Sequence, residues 1–514
     1  MASIEDCVFD GVSPTGGAVD VNGRDAALFV SSSVFVGLAT TALWVTHGTT
    51  IVVEDSMFAD IAAAQGPALR LWGEEPSVAL RRSTFARNAA LEGGGGAVNV
   101  QSVGALVVED CAFFGNMAVE DGGGVYVNVA SNVSVVSTNF TSNGGDDGGG
   151  VYVNNVEFLR VANSTFGNNS AMVDGGAMYA SADTVAVEDT RFVGNLARDE
   201  GGAVKAIWAR MTAMRCLFTG NRAVNRGGAY HAFRGGAILA DSTFADNAAG
   251  TTGGAFQSWN TAVEVRGVAF VGNRAESNEG GAMQLDGEVV VTIDDSVFVE
   301  NEAGNLGGAI DSGGDVRLVV ADVVFTSNVA RSDGGAWCLR GTAANLSRVT
   351  FSNNSAAGAG GAVRATSSTA DVAFADCAFA ENRAGGDGGA ISQGAGEVAV
   401  ADCDFVGNRA GDEGGAIAVW RARTLCVNST FLGNAAGSNG GAYKGGKSVF
   451  QAVGCAATNN TASSDASDVL RVWRAVGDLR CSPSFAGDGA TFLDSDFSVS
   501  DDCAANFSYR AVPS

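Results

Sequence analysis

The sequence predicts an all-β chain that folds as a parallel β-helix of about 18 coils. Three observations lead to this prediction. A phenylalanine returns every 23 to 28 residues, most often every 26. Glycine is abundant, with 72 residues against five prolines, so the chain needs many tight turns. The segments between the glycines alternate apolar and polar residues, which is the periodicity of a β-strand.

The recurring phenylalanine defines the coil. A repeat this short cannot bury an apolar face alone, so consecutive units must stack on one another. Each coil is expected to hold about three short strands, with equivalent side chains about 4.8 Å apart on successive coils. The rings should therefore form one buried column, the aromatic spine. Its members are Phe9, Phe35, Phe58, Phe85, Phe113, Phe140, Phe166, Phe192, Phe218, Phe244, Phe270, Phe298, Phe325, Phe351, Phe379, Phe405 and Phe431, and Ala457 takes the same position in the last unit.

An asparagine and a glycine pair follow the phenylalanine. From Phe85 onward, each of fourteen units has Asn three residues after Phe and Gly-Gly-Ala or Gly-Gly-Gly eight to ten residues after it. In the unit of Phe405, we expect Asn408 to adopt a left-handed turn conformation and to bond to its equivalents in a ladder. Gly414 and Gly415 should take backbone angles or close approaches that a Cβ would block.

Small residues stand two positions before the phenylalanine, and six of the ten cysteines are among them. Because Cys interchanges with Ser at this position, we interpret these six as packing groups. Two of them, Cys377 and Cys403, fall on neighbouring coils and are candidates for a disulfide in an oxidising compartment. Cys481 and Cys503 form a second candidate pair. No Cys/His spacing typical of a metal site occurs, and we expect neither a metal nor a cofactor.

The repeat divides the chain into three segments. Residues 1–84 keep the period but lose the signature, and we expect degenerate coils there. Residues 85–460 carry the signature in register. Residues 461–514 lie beyond the repeats and are expected to form a C-terminal cap or an irregular tail.

The paired FxxN and GGA[IVMY] motifs resemble the repeat of polymorphic outer membrane proteins. That repeat is known from chlamydial autotransporter passengers and from right-handed β-helix proteins of other bacteria and of algae. The resemblance covers roughly residues 85–443. It implies a single-stranded right-handed β-helix of the pectin-lyase-like type, displayed at the cell surface or outer membrane and serving in adhesion.

Composition restricts the partners and the compartment. With 31 basic and 56 acidic side chains the formal charge is −25, which disfavours nucleic acid and other polyanions. No apolar stretch is long enough to span a bilayer. No secretory signal is visible, and because Phe9 is already in register we expect the chain to be N-terminally incomplete. Nine Asn-x-Ser/Thr sequons favour an extracellular glycoprotein; they begin at Asn132, Asn139, Asn163, Asn168, Asn345, Asn353, Asn428, Asn459 and Asn506.

Two columns of varied residues follow the glycine marker, two and four positions after its last residue. By strand alternation both face the same side, and their polarity predicts a surface that faces solvent. Stacked tyrosines beside polar and aromatic residues suit an extended glycan or a partner protein. The alternative is an ordinary solvated strand face. The candidate ligand-face residues are Tyr126, Asn128, Tyr152, Asn154, Tyr179, Lys205, His231, Phe233, Gln257 and Trp259.

Acidic residues give two further hypotheses. Asp286 and Asp311, on adjacent coils, with Arg340 one coil further on, are the only candidates for acid–base chemistry on a polysaccharide. Acids in the loop before the glycines, such as Asp387 and Glu413, either share a calcium ion or form a loop edge neutralised by Arg383 and Arg409.

These observations rank three functions. The leading hypothesis is a non-enzymatic binding or adhesion module, extracellular or at the cell surface, that presents one varied face to a glycan or a surface protein. The second is a polysaccharide lyase or glycoside hydrolase on the same scaffold. The third is a structural spacer with no specific ligand.

Overall fold

A computed structural model describes residues 1–11, 17–73, 76–341, 343–366, 370–463, 470–473, 476–480, 490–493 and 496–499. The chain divides into two compact units, of which unit 1 comprises residues 1–250 and 255–261 and unit 2 comprises residues 251–254 and 262–514. Every regular element among the described residues is a β-strand, as the sequence predicts.

Each coil contains three kinds of strand, and the coil of Phe405 shows all of them. The spine strand Asp404–Val406 carries the phenylalanine, and the two-residue corner strand Arg409–Ala410 follows it. The long-face strands Ile417–Trp420 and Ala422–Val427 complete the coil. All of them pair in parallel with their equivalents one coil away, with Phe405 opposite Phe431. This is the parallel β-helix that the repeat predicts.

Unit 1 has ten spine strands, and unit 2 has eight, which agrees closely with the predicted number of coils. In unit 1 the spine strands are Val8–Asp10, Val34–Val36, Met57–Ala59, Thr84–Ala86, Ala112–Phe114, Asn139–Thr141, Thr165–Gly167, Arg191–Val193, Leu217–Thr219 and Thr243–Ala245. Its corner strands are Ala62–Ala63, Ala89–Ala90, Met117–Ala118, Gly144–Gly145, Ser170–Ala171, Leu196–Ala197, Arg222–Ala223 and Ala248–Ala249.

The long-face strands of unit 1 are continuous in some coils and divided in others. They are Ala2–Glu5, Val19–Ser31, Leu43–Glu54, Leu69–Trp72, Ser77–Arg81, Val98–Val100, Val103–Glu109, Val125–Val136, Val151–Ala162, Met178–Glu188, Val204–Ile207, Arg210–Met214, Tyr230–Ala240 and the first part of Phe256–Arg266, whose remainder belongs to unit 2.

Unit 2 repeats the same three kinds of strand. Its spine strands are Ala269–Val271, Val297–Val299, Val324–Thr326, Thr350–Ser352, Ala378–Ala380, Asp404–Val406, Thr430–Leu432 and Ala456–Thr458. Its corner strands are Arg274–Ala275, Glu302–Ala303, Val329–Ala330, Ser355–Ala356, Arg383–Ala384, Arg409–Ala410, Ala435–Ala436 and Thr461–Ala462.

The long-face strands of unit 2 continue into the C-terminal segment, where Leu470–Trp473 pairs in parallel with Tyr443–Gly446. They are Met283–Asp286, Val290–Asp294, Ile310–Gly313, Arg317–Ala321, Trp337–Arg340, Ala343–Ser347, Val363–Ala365, Asp371–Ala375, Ile391–Gln393, Gly396–Ala401, Ile417–Trp420, Ala422–Val427, Tyr443–Gly446, Val449–Val453, Leu470–Trp473, Val476–Arg480, Ala490–Leu493 and Asp496–Val499.

The phenylalanine rings stack in file within each unit. In unit 1 neighbouring ring centroids lie 4.5 to 5.3 Å apart, with ring planes within 11° of parallel. In unit 2 the distances are 4.7 to 5.0 Å and the planes lie within 13°. Because a buried phenylalanine removes on the order of 150 Å² or more from water, this column is a large part of the core. The predicted aromatic spine is confirmed.

The asparagines form the predicted ladder, but they do not adopt the left-handed conformation. Asn408 Nδ2 donates to Asn434 Oδ1 and to the carbonyl of Phe379, both at 2.9 Å. The left-handed residue is instead Gly407, with φ +65°. The turn requires its left-handed residue where the side chain points outward, whereas the asparagine side chain must point inward to reach the next coil. The prediction for Asn408 was therefore wrong by one position.

The glycine pair has the two roles that the sequence predicts. Gly414 has a φ of +68°, which a residue with a Cβ rarely adopts. A Cβ on Gly415 would lie 2.0 Å from the carbonyl oxygen of Gly441 on the next coil. The pair therefore allows the loop to turn sharply while lying directly on its neighbour. Ala416, which follows, is fully buried.

The cysteines correct one prediction. Cys377 and Cys403 are free thiols, and each Sγ donates to the carbonyl two residues earlier, at 3.2 and 3.1 Å. The disulfide in the described residues joins Cys426 to Cys455, so the expected Cys377–Cys403 bridge is not formed and Cys455 is more than a packing group. Free, buried Cys111 and Cys216 fit the packing interpretation. The other candidate pair, Cys481 and Cys503, lies outside the described residues.

Nothing helical in the described part of the chain has the length and apolar character needed to cross a bilayer.

We expect Asn221→Ala to lower the free energy of unfolding by about 2–3 kcal/mol. Asn221 is fully buried, donates to the carbonyl of Phe192 at 3.0 Å, and accepts from Asn195 Nδ2 at 2.9 Å. Alanine would leave these buried groups without partners. Urea denaturation followed by circular dichroism measures the change. The exposed Asn132→Ala is the control and should change stability by less than about 0.5 kcal/mol. Equal losses in the two variants would contradict a structural role for the ladder.

Candidate ligand groove

The first varied column lies beneath the glycine loops of the coil before it. A Cβ on Gly94 would lie 2.7 Å from the Tyr126 ring, and a Cβ on Gly66 would lie 2.8 Å from Asn99 Cβ. The loops approach the first column this closely because their glycines lack side chains. Lys205, His231 and Gln257, expected to face solvent, are consequently only 5%, 2% and 3% exposed. The prediction of a solvated column was wrong for these residues.

The second varied column stays closer to solvent. Asn154 Nδ2 donates to Asn128 Oδ1 at 3.2 Å, so these two predicted residues join across coils. Phe233 is half-buried, and Trp259 is 43% exposed. The two columns therefore form a floor and a rim rather than one flat face.

The three tyrosines of the first column stack as predicted. Tyr126 and Tyr152 have ring centroids 5.1 Å apart, and Tyr152 and Tyr179 are separated by 5.0 Å. All three are half-buried, and burial raises the pKa of each hydroxyl above its usual value. The stack is thus an aromatic surface whose hydroxyls stay uncharged at physiological pH.

A ladder of loop acids runs beside the tyrosines. Asp121 Oδ1 accepts from the amide of Asp147 at 3.2 Å, Asp147 Oδ1 from Asp174 at 2.8 Å, and Asp174 Oδ1 from Glu200 at 2.9 Å. Burial raises the pKa of Asp147 and of Asp174 to about 6, and for Asp174 the charge of Lys205 only partly opposes this rise. Each acid thus fixes the loop of the next coil.

A groove of about 600 Å³ opens where this ladder ends, entirely within unit 1. It brings together six of the ten predicted ligand-face residues, four from the first column and two from the second. We call this feature the ligand groove. It is lined by Asp174, Tyr179, Glu200, Lys205, Ile207, Trp208, Arg226, His231, Phe233, Gln257 and Trp259.

A compact charged cluster forms the floor of the ligand groove. Glu200 Oε2 contacts Lys205 Nζ and lies 2.8 Å from His231 Nδ1, while Arg226 lies 3.4 Å from Glu200 Oε1. Burial acts to raise the pKa of Glu200, but His231 and Lys205 outweigh it and hold this pKa at about 2. Burial lowers the pKa of His231. The floor is therefore an ionised Glu200 held against Lys205 and His231.

Aromatic side chains and one arginine form the rim. Trp208 is 60% exposed, and its ring meets that of Phe233 edge-on at 6.4 Å. The Arg234 guanidinium lies 4.7 Å from the Trp208 ring centre and 5.3 Å from that of Phe233. Sequence reasoning missed Trp208, Arg226 and Arg234, because each lies outside the two columns. For Glu200, which also lies outside the two columns, the available signal was its position just before Gly-Gly-Ala, with Lys205 just after it.

The three catalytic candidates also come together, in unit 2, around a buried Asp311, while Asp286 and Arg340 are partly exposed. Gln284 Nε2 donates to both Asp286 Oδ2 and Asp311 Oδ2 at 2.9 Å. Arg340 donates to Asp311 Oδ2 at 2.5 Å and binds both oxygens of Glu279. Asp311 is fully buried, and burial raises its pKa to about 7. The arrangement is an internal polar network in which Asp311 has no access to a substrate.

The loop acids of unit 2 are neutralised differently from the prediction. Glu413 pairs with Lys444, and Asp387 Oδ1 accepts from the amide of Glu413 at 3.1 Å. Lys444 thus takes the role that was expected of Arg409. Within the described ranges, no group of three or more His, Cys, Asp or Glu side chains is placed to hold a metal ion.

The comparisons with known proteins concern the fold. A family model described as "Right handed beta helix region" matches residues 4–197 and 264–436. The search of curated proteins finds no match to this sequence.

We expect the change in the free energy of unfolding caused by Asp174→Asn to be more favourable at pH 7 than at pH 4. The folded pKa of about 6 lies above the ordinary value of 3.8, so the folded state binds more protons between these pH values. The contribution of the carboxyl to stability is therefore full below pH 3.8 and is lost as pH rises through 6. The stability of the variant minus that of the wild type should rise by about 1–3 kcal/mol from pH 4 to pH 7.

Urea denaturation at both pH values measures this difference. The control is Asp183→Asn, which replaces an exposed acid on a long-face strand of the same unit. A rise of equal size in the control, or a fall in the Asp174→Asn difference, would contradict the burial of Asp174.

Proposed function

Because the chain belongs to the right-handed β-helix family, we propose that it is an extracellular or cell-surface binding module that holds a glycan in the ligand groove. The family supplies a scaffold on which binding proteins and enzymes both occur, so the function must be argued from the groove.

The observation that carries the proposal is the combination of an aromatic rim with a polar floor. Trp208 and Trp259 are 60% and 43% exposed, although large aromatic side chains are usually buried. The apolar faces of sugar rings stack on such side chains, while sugar hydroxyls need donors and acceptors below them. Glu200, Lys205 and His231 supply charged and polar groups at the floor. A peptide or lipid partner would have less use for this buried charge.

Local charge favours a glycan that bears carboxylate or sulfate groups. The lining carries Lys205 and Arg226 against Asp174 and Glu200. Arg234 at the rim gives the groove one cation in excess, although the whole chain has a net charge of −25. Arg226 and Arg234 lie at the groove, with Arg234 held against Trp208. Charges further away than about 10 Å are largely screened at physiological salt, so the local excess decides what the groove attracts. The net charge is a poor guide to this one site.

The enzyme hypothesis keeps a specific observation in its favour, since Asp286, Asp311 and Arg340 do form one network. Acid–base catalysis nevertheless requires that a carboxyl reach the substrate. Asp311 is fully buried, and Arg340 is committed to Glu279 as well. We therefore place a lyase or hydrolase second. The spacer hypothesis leaves the exposed tryptophans without a role.

The sequons support the proposed location outside the cell. The eight acceptor asparagines among the described residues are all exposed, and none of them lines the ligand groove. Attached glycans would leave the groove open. By its resemblance to polymorphic outer membrane proteins, the protein would be displayed at the cell envelope.

We expect Trp259→Ala to weaken glycan binding by at least about tenfold, because the variant loses one stacking surface of the rim. The measurement is isothermal titration calorimetry with a chondroitin sulfate hexasaccharide, which is anionic, and with chitohexaose, which is neutral. Wild type should bind the anionic sugar more tightly, and this preference should fall as salt is raised.

The matched control is Trp72→Ala, because Trp72 is 61% exposed and occupies the same column outside the groove. Identical weakening by the two variants, or no binding of either sugar, would overturn the proposal. Product formation from either sugar that is abolished in Asp311→Asn but retained in Trp259→Ala would instead favour the enzyme.

When the protein is produced through a eukaryotic secretory pathway, we expect N-linked glycans on the exposed sequons. An N-glycosidase should then shift the protein to lower mass, and peptide mass spectrometry should locate the occupied sites. Ser134→Ala removes one sequon without altering Asn132 and should reduce the shift by one glycan. A protein that leaves this pathway with every sequon unoccupied would count against the extracellular assignment.

A further inference from the structure

A second depression, in unit 2, repeats the chemistry of the ligand groove. It has a volume of about 230 Å³, and its lining includes Arg364, Gln393, Glu413, Trp420 and Lys444. These residues lie on the first part of the long face, in the same kind of position as the ligand groove. None of the ten candidate ligand-face residues lies here, but the lining includes Asp387 and Glu413, the loop acids considered for calcium.

Trp420 stands at one side of the depression with a gap beside it. This side chain is 42% exposed. A Cβ on Gly446, the partner of Trp420 on the next coil, would lie 2.3 Å from the indole ring, so the ring leans over that glycine. On the coil before, Gly394 lines the depression and carries no side chain to fill it. The result is a slot with an aromatic wall.

The floor of the slot again contains a shielded ion pair. Glu413 contacts Lys444, and their side chains are 28% and 11% exposed. The ligand groove has a similar pair, Glu200 with Lys205, although these two residues lie on one coil and Glu413 and Lys444 lie on successive coils. A further cation, Lys447, lies 5.5 Å from the Trp420 ring centre. An acid–lysine pair beneath an exposed tryptophan thus occurs once in each unit.

One donor in the lining, Arg364 Nε, has no hydrogen-bond partner in the protein, while Nη1 of the same guanidinium donates to Ser392 Oγ. Gln393 is buried and pairs in register with the core residues Ala365 and Val419, so its side chain points away from the slot. The Arg364 guanidinium therefore offers hydrogen-bond donors to a group that enters the slot.

We propose that this slot is a second glycan subsite, which takes a single sugar ring of an anionic oligosaccharide against Trp420. The inference rests on the proposed function, because the ligand class is that of the ligand groove. One chain then has two separate subsites, one in each unit. Sugar hydroxyls would accept hydrogen bonds from Arg364, while Lys444 and Lys447 would attract the acidic group.

Stoichiometry in calorimetric titrations tests the inference. The full chain is titrated with the chondroitin sulfate hexasaccharide, and wild type should bind two molecules. Trp420→Ala should bind one, with the remaining site unchanged, and Trp259→Ala should also bind one. Gly394→Leu fills the slot without removing Trp420 and should behave as Trp420→Ala does. Circular dichroism and the urea midpoint establish that each variant is folded.

The outcomes separate the two proposals. A single wild-type site that Trp259→Ala weakens at least tenfold, and that Trp420→Ala and Gly394→Leu leave unchanged, overturns the second subsite and leaves the proposed function standing. A single site lost only in Trp420→Ala and Gly394→Leu supports the slot and overturns the ligand groove. No binding by wild type overturns both.

Discussion

The structure depends on equivalent residues of successive coils lying in register. The buried asparagine ladder enforces this register more strictly than the stacked rings do. Each amide, such as Asn408, has its partners only when the next coil presents its own asparagine and the previous coil presents its phenylalanine carbonyl. A slip of one residue would turn the phenylalanines outward and leave these buried amides unpaired. Stacked rings alone would enforce the register less strictly, since rings can slide past one another.

Given this register, variation is confined to positions that the packing leaves free. The ligand groove arises where free positions of neighbouring coils differ strongly in charge and size, as Glu200, Lys205 and His231 do. The glycine loops then roof the first column, so its charged groups are desolvated and hold one another. The ion pair of Glu413 with Lys444 shows that a second pair of coils carries shielded opposite charges without disturbing the core.

The fold was predictable because every packing requirement is repeated many times. The spine, the ladder and the glycine pair each recur at a fixed spacing, and each has one physical explanation. The site was predictable only in part. Lys205, His231 and Trp259 were found by their column, but their burial depends on how closely a loop without side chains approaches them. Pairs such as Glu413 with Lys444, and the Cys426–Cys455 disulfide, join residues about one coil apart without any repeated signal.

The corner strands are only two residues long, and left-handed residues such as Gly407 bracket the neighbouring spine strand. A coil therefore cannot accommodate one added residue at these corners. An added complete coil, by contrast, makes the same packing contacts as the other coils, because its two neighbours present the same surfaces as before. Insertion of a complete coil is consequently compatible with the fold, whereas a single inserted residue is compatible with it only in the long face.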